Sequence, residues 1–192
     1  METPTPDPEE AQDPLEALRR GDPGPFERFV QVQAPGLVGF FLRMGAGRAE
    51  AEDLAQDSFL RMVQRLDRYE PQGRPQAWLL RIARNAWIDR RRRDAIRPWR
   101  GRAAAVEELD LAESGPGPVR QASGREAHAR LTQALEQLPA GQREAFELGA
   151  IQGLPYGEVA ELLAIPVGTV KSRMFHAVRR LRQVLEGAED LA

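Results

Sequence analysis

Near the end of the chain Val170, Met174, Ala177, Leu181 and Val184 recur at steps of three and four residues. That period puts a single apolar stripe on a helix and would scatter across both faces of a strand. Just upstream, Val159, Leu162 and Leu163 form a second, shorter stripe, separated from the first by a turn at Ala164 to Pro166. Two short amphipathic helices joined by so tight a turn have helix-turn-helix grammar. Pro166 suits the entry to the second helix, and Gly168 permits a close approach there. Thr169, Lys171, Ser172, Arg173 and His176 fall off the stripe. Hydroxyls and cations at a helix start are what a major-groove reader presents. A helical hairpin with a solvated arginine-rich face has the same pattern, so this segment alone leaves both readings open.

The same period governs the rest. Leu54, Ala55, Phe59, Met62, Val63 and Leu66 make one stripe, and Trp78, Leu79, Ile82, Ala83, Ala86 and Trp87 make another on a helix expected from about Gln76 to Arg92. Helical periodicity begins near Pro14 with Leu15 and Leu18, is interrupted by GDPGP at 21–25, and resumes at Phe26, Phe29 and Val30. Pro35-Gly36 predicts a further break before Leu37, Val38, Phe40, Phe41 and Leu42. No segment alternates as a strand would. Residues 1–13 are acidic and proline-rich and read as a disordered tail. Residues 101–124, with ESGPGP and little periodic apolar content, read as a linker, because a structureless stretch that long is unusual inside one compact domain. The expected fold is all-α: two small helical domains, 14–100 and 125–192, joined by a flexible linker, the second carrying the helix-turn-helix. Its helices are expected near 125–138, 141–151, 156–163 and 167–186.

Several function classes are excluded by what the chain lacks. It has no cysteine, so disulfides, thiolate chemistry and cysteine-ligated metals are out, and only His128 and His176 offer imidazole. No metal site or cofactor is expected. No run of 18 apolar residues occurs, and METPTPDPEE lacks the basic and apolar regions of a secretory signal, so a cytoplasmic location is expected. There is no GxxxxGK[ST] loop and no catalytic constellation, which argues against an enzyme.

Net charge is only -2, yet the charges are segregated. Residues 81–102 carry nine arginines against two aspartates, and 165–185 carry five bases and no acid, with four acids and no base at 103–118 between them. Basic blocks of this kind neutralise phosphate. The first block also holds polar and aromatic groups: Arg81, Arg84, Asn85, Asp89 and Arg90 through Arg93 beside two tryptophans. Asn85 can pair with a base edge, and aromatics offer stacking surface to unpaired bases. The preceding loop, RYEPQGRP, offers Tyr69 for stacking and Glu70, Gln72 and backbone for hydrogen bonds to a base outside the duplex stack, though an ordinary turn has the same composition. Glu52, Asp53, Gln56 and Asp57 form a negative surface that DNA would repel and a basic helix on another protein would accept.

These motifs, in this order and spacing, resemble the bacterial sigma factors of the extracytoplasmic-function (ECF) class, the minimal two-domain members of the sigma-70 family. The likeness covers about Gly21 to Leu185. AEDLAQDSFLRM resembles the helix that binds the clamp coiled coil of the beta-prime subunit of RNA polymerase, WLLRIARNAWIDRRRR the helix that engages the −10 promoter element, and GLPYGEVAELLAIPVGTVKSRM the helix-turn-helix that reads the −35 element. The resemblance implies that Glu52, Asp53, Gln56 and Asp57 face polymerase. It implies that Tyr69, Glu70, Gln72 and Arg74 belong to a loop taking a flipped −10 base, that Arg81, Arg84, Asn85, Asp89 and Arg90 lie on the promoter-melting helix, and that Gly168, Thr169, Lys171, Ser172, Arg173 and His176 meet the −35 duplex. It further implies core RNA polymerase as partner through the beta-prime clamp and the beta flap, promoter DNA both duplex and melted, and an anti-sigma factor as a possible inhibitor.

Departures from the family pattern sit at Pro75, where an aromatic is usual, at Ala86-Trp87, and at His176 and Val178, where arginines are common. They bear on the base pocket and on the −35 sequence read. A free-standing helix-turn-helix regulator would leave the acidic and first basic helices without a task, and a helical adaptor that touches no DNA would leave both basic blocks without one.

Overall fold

The computed structural model describes residues 13–70, 74–96 and 131–189, and these are helical with short turns. The expected tail up to residue 12, the expected linker at 101–124, and Gln72 lie outside the described residues. By packing, the chain forms two compact units, one of Met1–Gly39 with Ala51–Trp99 and one of Phe40–Glu50 with Arg100–Ala192.

In the first unit, α1 (Pro14–Arg19) starts where the Asp13 carboxylate accepts the Leu15 and Glu16 amides at 2.9 and 3.3 Å, with proline at a position that needs no N–H. Helix α2 (Gly24–Arg43) then runs unbroken through Pro35. The break expected at Pro35-Gly36 is absent. An interior proline costs a helix roughly 3 kcal/mol, and fully burying a large side chain stabilises by about 1.5–3 kcal/mol. Leu37, Phe40 and Phe41, all buried just beyond it, offset the loss.

Helix α3 (Arg48–Gln64) buries Ala51, Leu54, Ala55, Ser58 and Met62, and the Ser58 hydroxyl meets its need within the helix by donating to the Leu54 carbonyl at 2.7 Å. Val63, expected on the inner stripe, is instead exposed. A 3-10 turn, Leu66–Arg68, leads to α4 (Pro75–Ile96), which buries Leu79, Leu80, Ile82, Ala83, Ala86 and Trp87.

In the second unit, helical residues 131–136 (α5) precede α6 (Ala140–Phe146), which runs into a π-helical turn, Glu147–Ile151. Helix α7 (Tyr156–Leu163) ends at Ala164 in the left-handed region (φ 53°), where the Ile165 amide bonds back to the Ala160 carbonyl at 3.0 Å. Helix α8 (Val167–Glu189) follows at once. Its inner residues Ala177 and Leu181 pack with Ala134, Leu135 and Leu138, and Val170 and Met174 are buried too.

The same unit takes in the α2–α3 corner, and Arg43 there forms a bidentate pair with Glu147. The guanidinium Nε and Nη2 donate to the two carboxylate oxygens at 2.7 and 2.8 Å, with both side chains buried. The Gln152 amide donates to the same carboxylate at 3.0 Å. Removing one member of a buried pair costs roughly 3–5 kcal/mol, because the other charge is stranded.

Candidate functional site

The acidic surface on α3 holds together. Glu52, Asp53 and Gln56 are exposed, and Asp57 is half-buried with an ion pair to Arg61 at 2.8 Å. Helical spacing carries the face from Asp53 and Gln56 on to Leu60 and Val63, which are 61 % and 43 % exposed. Sequence reasoning missed Leu60 and put Val63 in the core. The signal for Leu60 was its seven-residue step from Asp53, off the buried stripe. A surface with apolar centre and acidic edge can bury area against a partner helix as well as attract its charge.

On α4 the structure sorts the expected residues. Arg81, Asn85 and Asp89 recur every four residues and are exposed on one face, with half-buried Arg84 at its edge. Arg90 is exposed but lies in register with Ala83 and Ala86, on the side of the buried stripe, and pairs with Asp94 at 3.6 Å. Arg92, one of the four consecutive arginines of the basic block, shares the Arg81–Asn85–Asp89 face by its three-residue step from Asp89. The Arg91 guanidinium sits 4.1 Å from the Trp87 ring, so that tryptophan is occupied on one face and buried.

The loop before α4 departs most from expectation. Tyr69 is buried, its hydroxyl donates to Asp13 at 2.5 Å, and its ring lies 5.0 Å from that of Trp78. Burial, then the Asp13 hydrogen bond and charge, push the phenol well above the usual tyrosine range. Arg19 ties the same stretch by donating to the Leu66 and Tyr69 carbonyls at 2.5 and 2.8 Å. In this arrangement the ring is a structural member facing inward and is not open to stack on a base. Glu70 and Arg74 are exposed. Asp13 and Arg19 were not legible as parts of this loop, since they stand about fifty residues away from it.

At the start of α8, Gly168, Lys171, Ser172 and His176 are exposed and Thr169 and Arg173 half-buried. Arg173 lies back over the first turn of α6: a Cβ built on Gly141 would stand 3.0 Å from its guanidinium carbon. Phe175, 63 % exposed beside His176, was also missed. It falls between the buried positions Met174 and Ala177, which is the signal that would have found it. With Tyr156, Met174 and Val178 it lines a groove of about 730 Å³ that Lys171 and Arg179 also border. Among the described residues no group of three or more acids or histidines could hold a metal ion, and no helix is long and apolar enough to cross a membrane.

An all-helical chain with an acidic helix, a basic helix and a C-terminal helix-turn-helix is the architecture of a two-region transcription initiation factor. The family models agree: residues 29–96 match sigma-70 region 2 and residues 128–181 match sigma-70 region 4. The chain is 33 % identical over 171 residues to the RNA polymerase sigma factor CarQ of Myxococcus xanthus, covering 89 % of this chain and 95 % of that one. It is 30 % identical over 183 residues to the RNA polymerase sigma-H factor of Pseudomonas aeruginosa, covering 93 % and 95 %. Among solved structures it is similar to the sigma factor RpoE of Bartonella quintana, crystallised with the anti-sigma factor NepR, with a TM-score of 0.64, 26 % identity and coverage of 84 % and 96 %. The chain belongs to the ECF sigma factors of the sigma-70 family. It is accordingly not an enzyme but a factor that works with core RNA polymerase at promoters, and the regulator and adaptor readings fall.

Proposed function

We propose that the α3 face of Glu52, Asp53, Gln56 and Asp57, with Leu60 and Val63, docks on the polymerase clamp, and that α4 and α8 divide the promoter between them. The Arg81–Asn85–Asp89 face of α4, extended by Arg92, holds the −10 region as it opens, with Arg84, Glu70 and Arg74 at its border. The α8 start, Gly168, Thr169, Lys171, Ser172, Arg173 and His176, holds the −35 duplex, Thr169 and Ser172 against phosphate and Phe175 positioned for apolar contact such as a thymine methyl. Arg90 serves phosphate from the flank, and Tyr69 shapes the loop from within.

Opening takes its energy from binding: unstacking costs a few kcal/mol per base step, which captured bases and phosphate contacts must offset. The observation that carries this reading is the separation of chemistries, acidic and apolar on α3, cationic and polar on α4 and α8. A cytoplasmic location follows from work with polymerase, and an anti-sigma factor is a fitting partner, since the similar RpoE was crystallised in complex with one, NepR. Run-off transcription with core polymerase on a pooled promoter library tests the whole. Productive initiation with a recoverable −35 and −10 preference is expected, and no initiation from any promoter would overturn it.

A further inference from the structure

Helix α1 is six residues long, and a helix that short is marginal in water by itself. It is held by Leu15 and Ala17, both fully buried. Two of its polar side chains, Asp13 at the cap and Arg19 in the last turn, turn to one place, the stretch before α4. Asp13 is used twice. One carboxylate oxygen caps α1 by accepting the Leu15 and Glu16 amides, and the other accepts the Tyr69 hydroxyl. Arg19 gives a single nitrogen, Nη2, to two carbonyls, that of Leu66, which opens the 3-10 turn, and that of Tyr69, which caps it. The Tyr69 phenol also accepts the backbone amide of Arg74. One group thus joins residues 69 and 74, and its far side is anchored on α1, all within one compact unit.

Stability alone does not ask for this arrangement. A phenylalanine ring would fill the same space against Trp78, and a 3-10 turn needs no guanidinium on its carbonyls. What the three bonds from α1 add is direction. With its carbonyl and its phenol both held, Tyr69 sends the chain on to Glu70 along one path, and Arg74 stands at a set distance from it. Glu70 and Arg74 are exposed. Recognition groups work when supporting hydrogen bonds hold them within about 0.5 Å of the productive geometry, and groups borne on loops need that support most.

We propose that Asp13 and Arg19 are positioning residues for −10 recognition: α1 braces the stretch before α4, so that Glu70 and Arg74 keep fixed places beside the Arg81–Asn85–Asp89 face. Neither Asp13 nor Arg19 touches DNA in this role. Both precede residue 29, where the match to sigma-70 region 2 begins. The role of α1 rests on the −10 role given to that face above.

Polymerase carrying the full chain, run on a promoter pool randomised at −10 and −35, reads the brace. Arg19→Ala and Asp13→Ser should each flatten the −10 preference about tenfold, the worth of one lost base contact, with the −35 preference and the affinity for core polymerase kept. Serine still caps α1 but is too short to serve the phenol as well, so the second variant does not fail at the helix itself. An equal loss on every −10 sequence would make α1 a stabilising element only, and an unchanged −10 preference would make its contacts inert. Either result overturns the proposal. Asp13→Ser and Tyr69→Phe remove the same hydrogen bond, so the double variant should be no flatter than Tyr69→Phe alone, and additive losses overturn the route through the phenol.

Hydrogen–deuterium exchange on the free chain separates the brace from the function it serves. In Arg19→Ala, exchange over 66–70 and 74–78 should rise about tenfold while 26–43 and 50–64 keep their protection. A rise along the whole chain, or none, overturns the brace. A parent that starts transcription at no promoter overturns the function proposed above and the specificity claim with it, whereas a parent whose −10 preference the variants share overturns the brace alone.

Discussion

Helices α4 and α8 are both arginine-rich and are built on different plans. In α8 the buried residues Val170, Met174, Ala177 and Leu181 continue well past the polar residues at its start, so Lys171 and Ser172 project from a segment pinned by that packing. In α4 the buried residues crowd between Leu79 and Trp87, and Asp89 to Arg93 extend beyond them into solvent. A side chain held by a packed helix keeps the geometry that base-edge recognition needs. Cations on an unsupported end supply charge with little geometry, which suits phosphate. On the function proposed above, the contrast would give sequence reading mainly to α8 and sequence-independent hold mainly to the end of α4.

The largest expected effect tests the α8 half. Replacing Lys171 and Arg173 together with alanine should weaken −35 duplex binding by polymerase carrying this factor about a hundredfold, since each good contact is worth about 1–3 kcal/mol. The loss should be greatest on the preferred sequence. An equal loss on all sequences would erase the contrast. Replacing Asp53 and Asp57 with alanine should lower affinity for core polymerase about tenfold, measured by competition, without changing the thermal midpoint. Unchanged affinity would remove the docking role of α3 and with it the placement of α4.

A smaller effect is expected at the end of α4. Arg92→Ala/Arg93→Ala should cut promoter affinity severalfold at moderate salt and reduce the slope of log affinity against log salt by about 2, with the sequence preference unchanged. A changed −10 preference would show these arginines reading bases. The smallest effect concerns Tyr69. Its raised pKa means that the folded state favours the neutral phenol. The associated stability is therefore complete below the unfolded value of about 10 and is lost as pH rises through and above it. In a Tyr156→Phe background, ultraviolet titration should show the remaining tyrosine ionising well above pH 10, and Asp13→Asn should bring that midpoint down. A midpoint near 10 would free the ring to stack and return the loop to the reading implied by the family resemblance.

Local rules made the fold largely legible. Apolar period, proline and glycine placed α1, α3, α4, α7 and α8, because each is an amphipathic helix whose stripe is written in its own residues. Pro35 misled because tertiary packing of Leu37, Phe40 and Phe41 overrides a local penalty. Val63 was placed in the core, and Leu60 and Phe175 were left unassigned, for a converse reason: the exposure of an apolar residue is legible only when its angle around the helix is worked out. Asp13–Tyr69, Arg19 with the Leu66 carbonyl, and Arg43–Glu147 were invisible. Each joins residues about 50 or more positions apart, and no periodicity or spacing encodes such a partner.

Gly141 bears on how recognition by this chain can be tuned. The absent methyl leaves a shallow seat into which Arg173 reclines. Because a flexible guanidinium yields before backbone does, a Gly141→Ala exchange would tip that cation outward, and, on the proposed role of Arg173, toward the duplex, with every residue of the proposed −35 set unchanged. On that role, promoter preference could drift through a residue outside the proposed contact set, one carbon atom acting as the wedge.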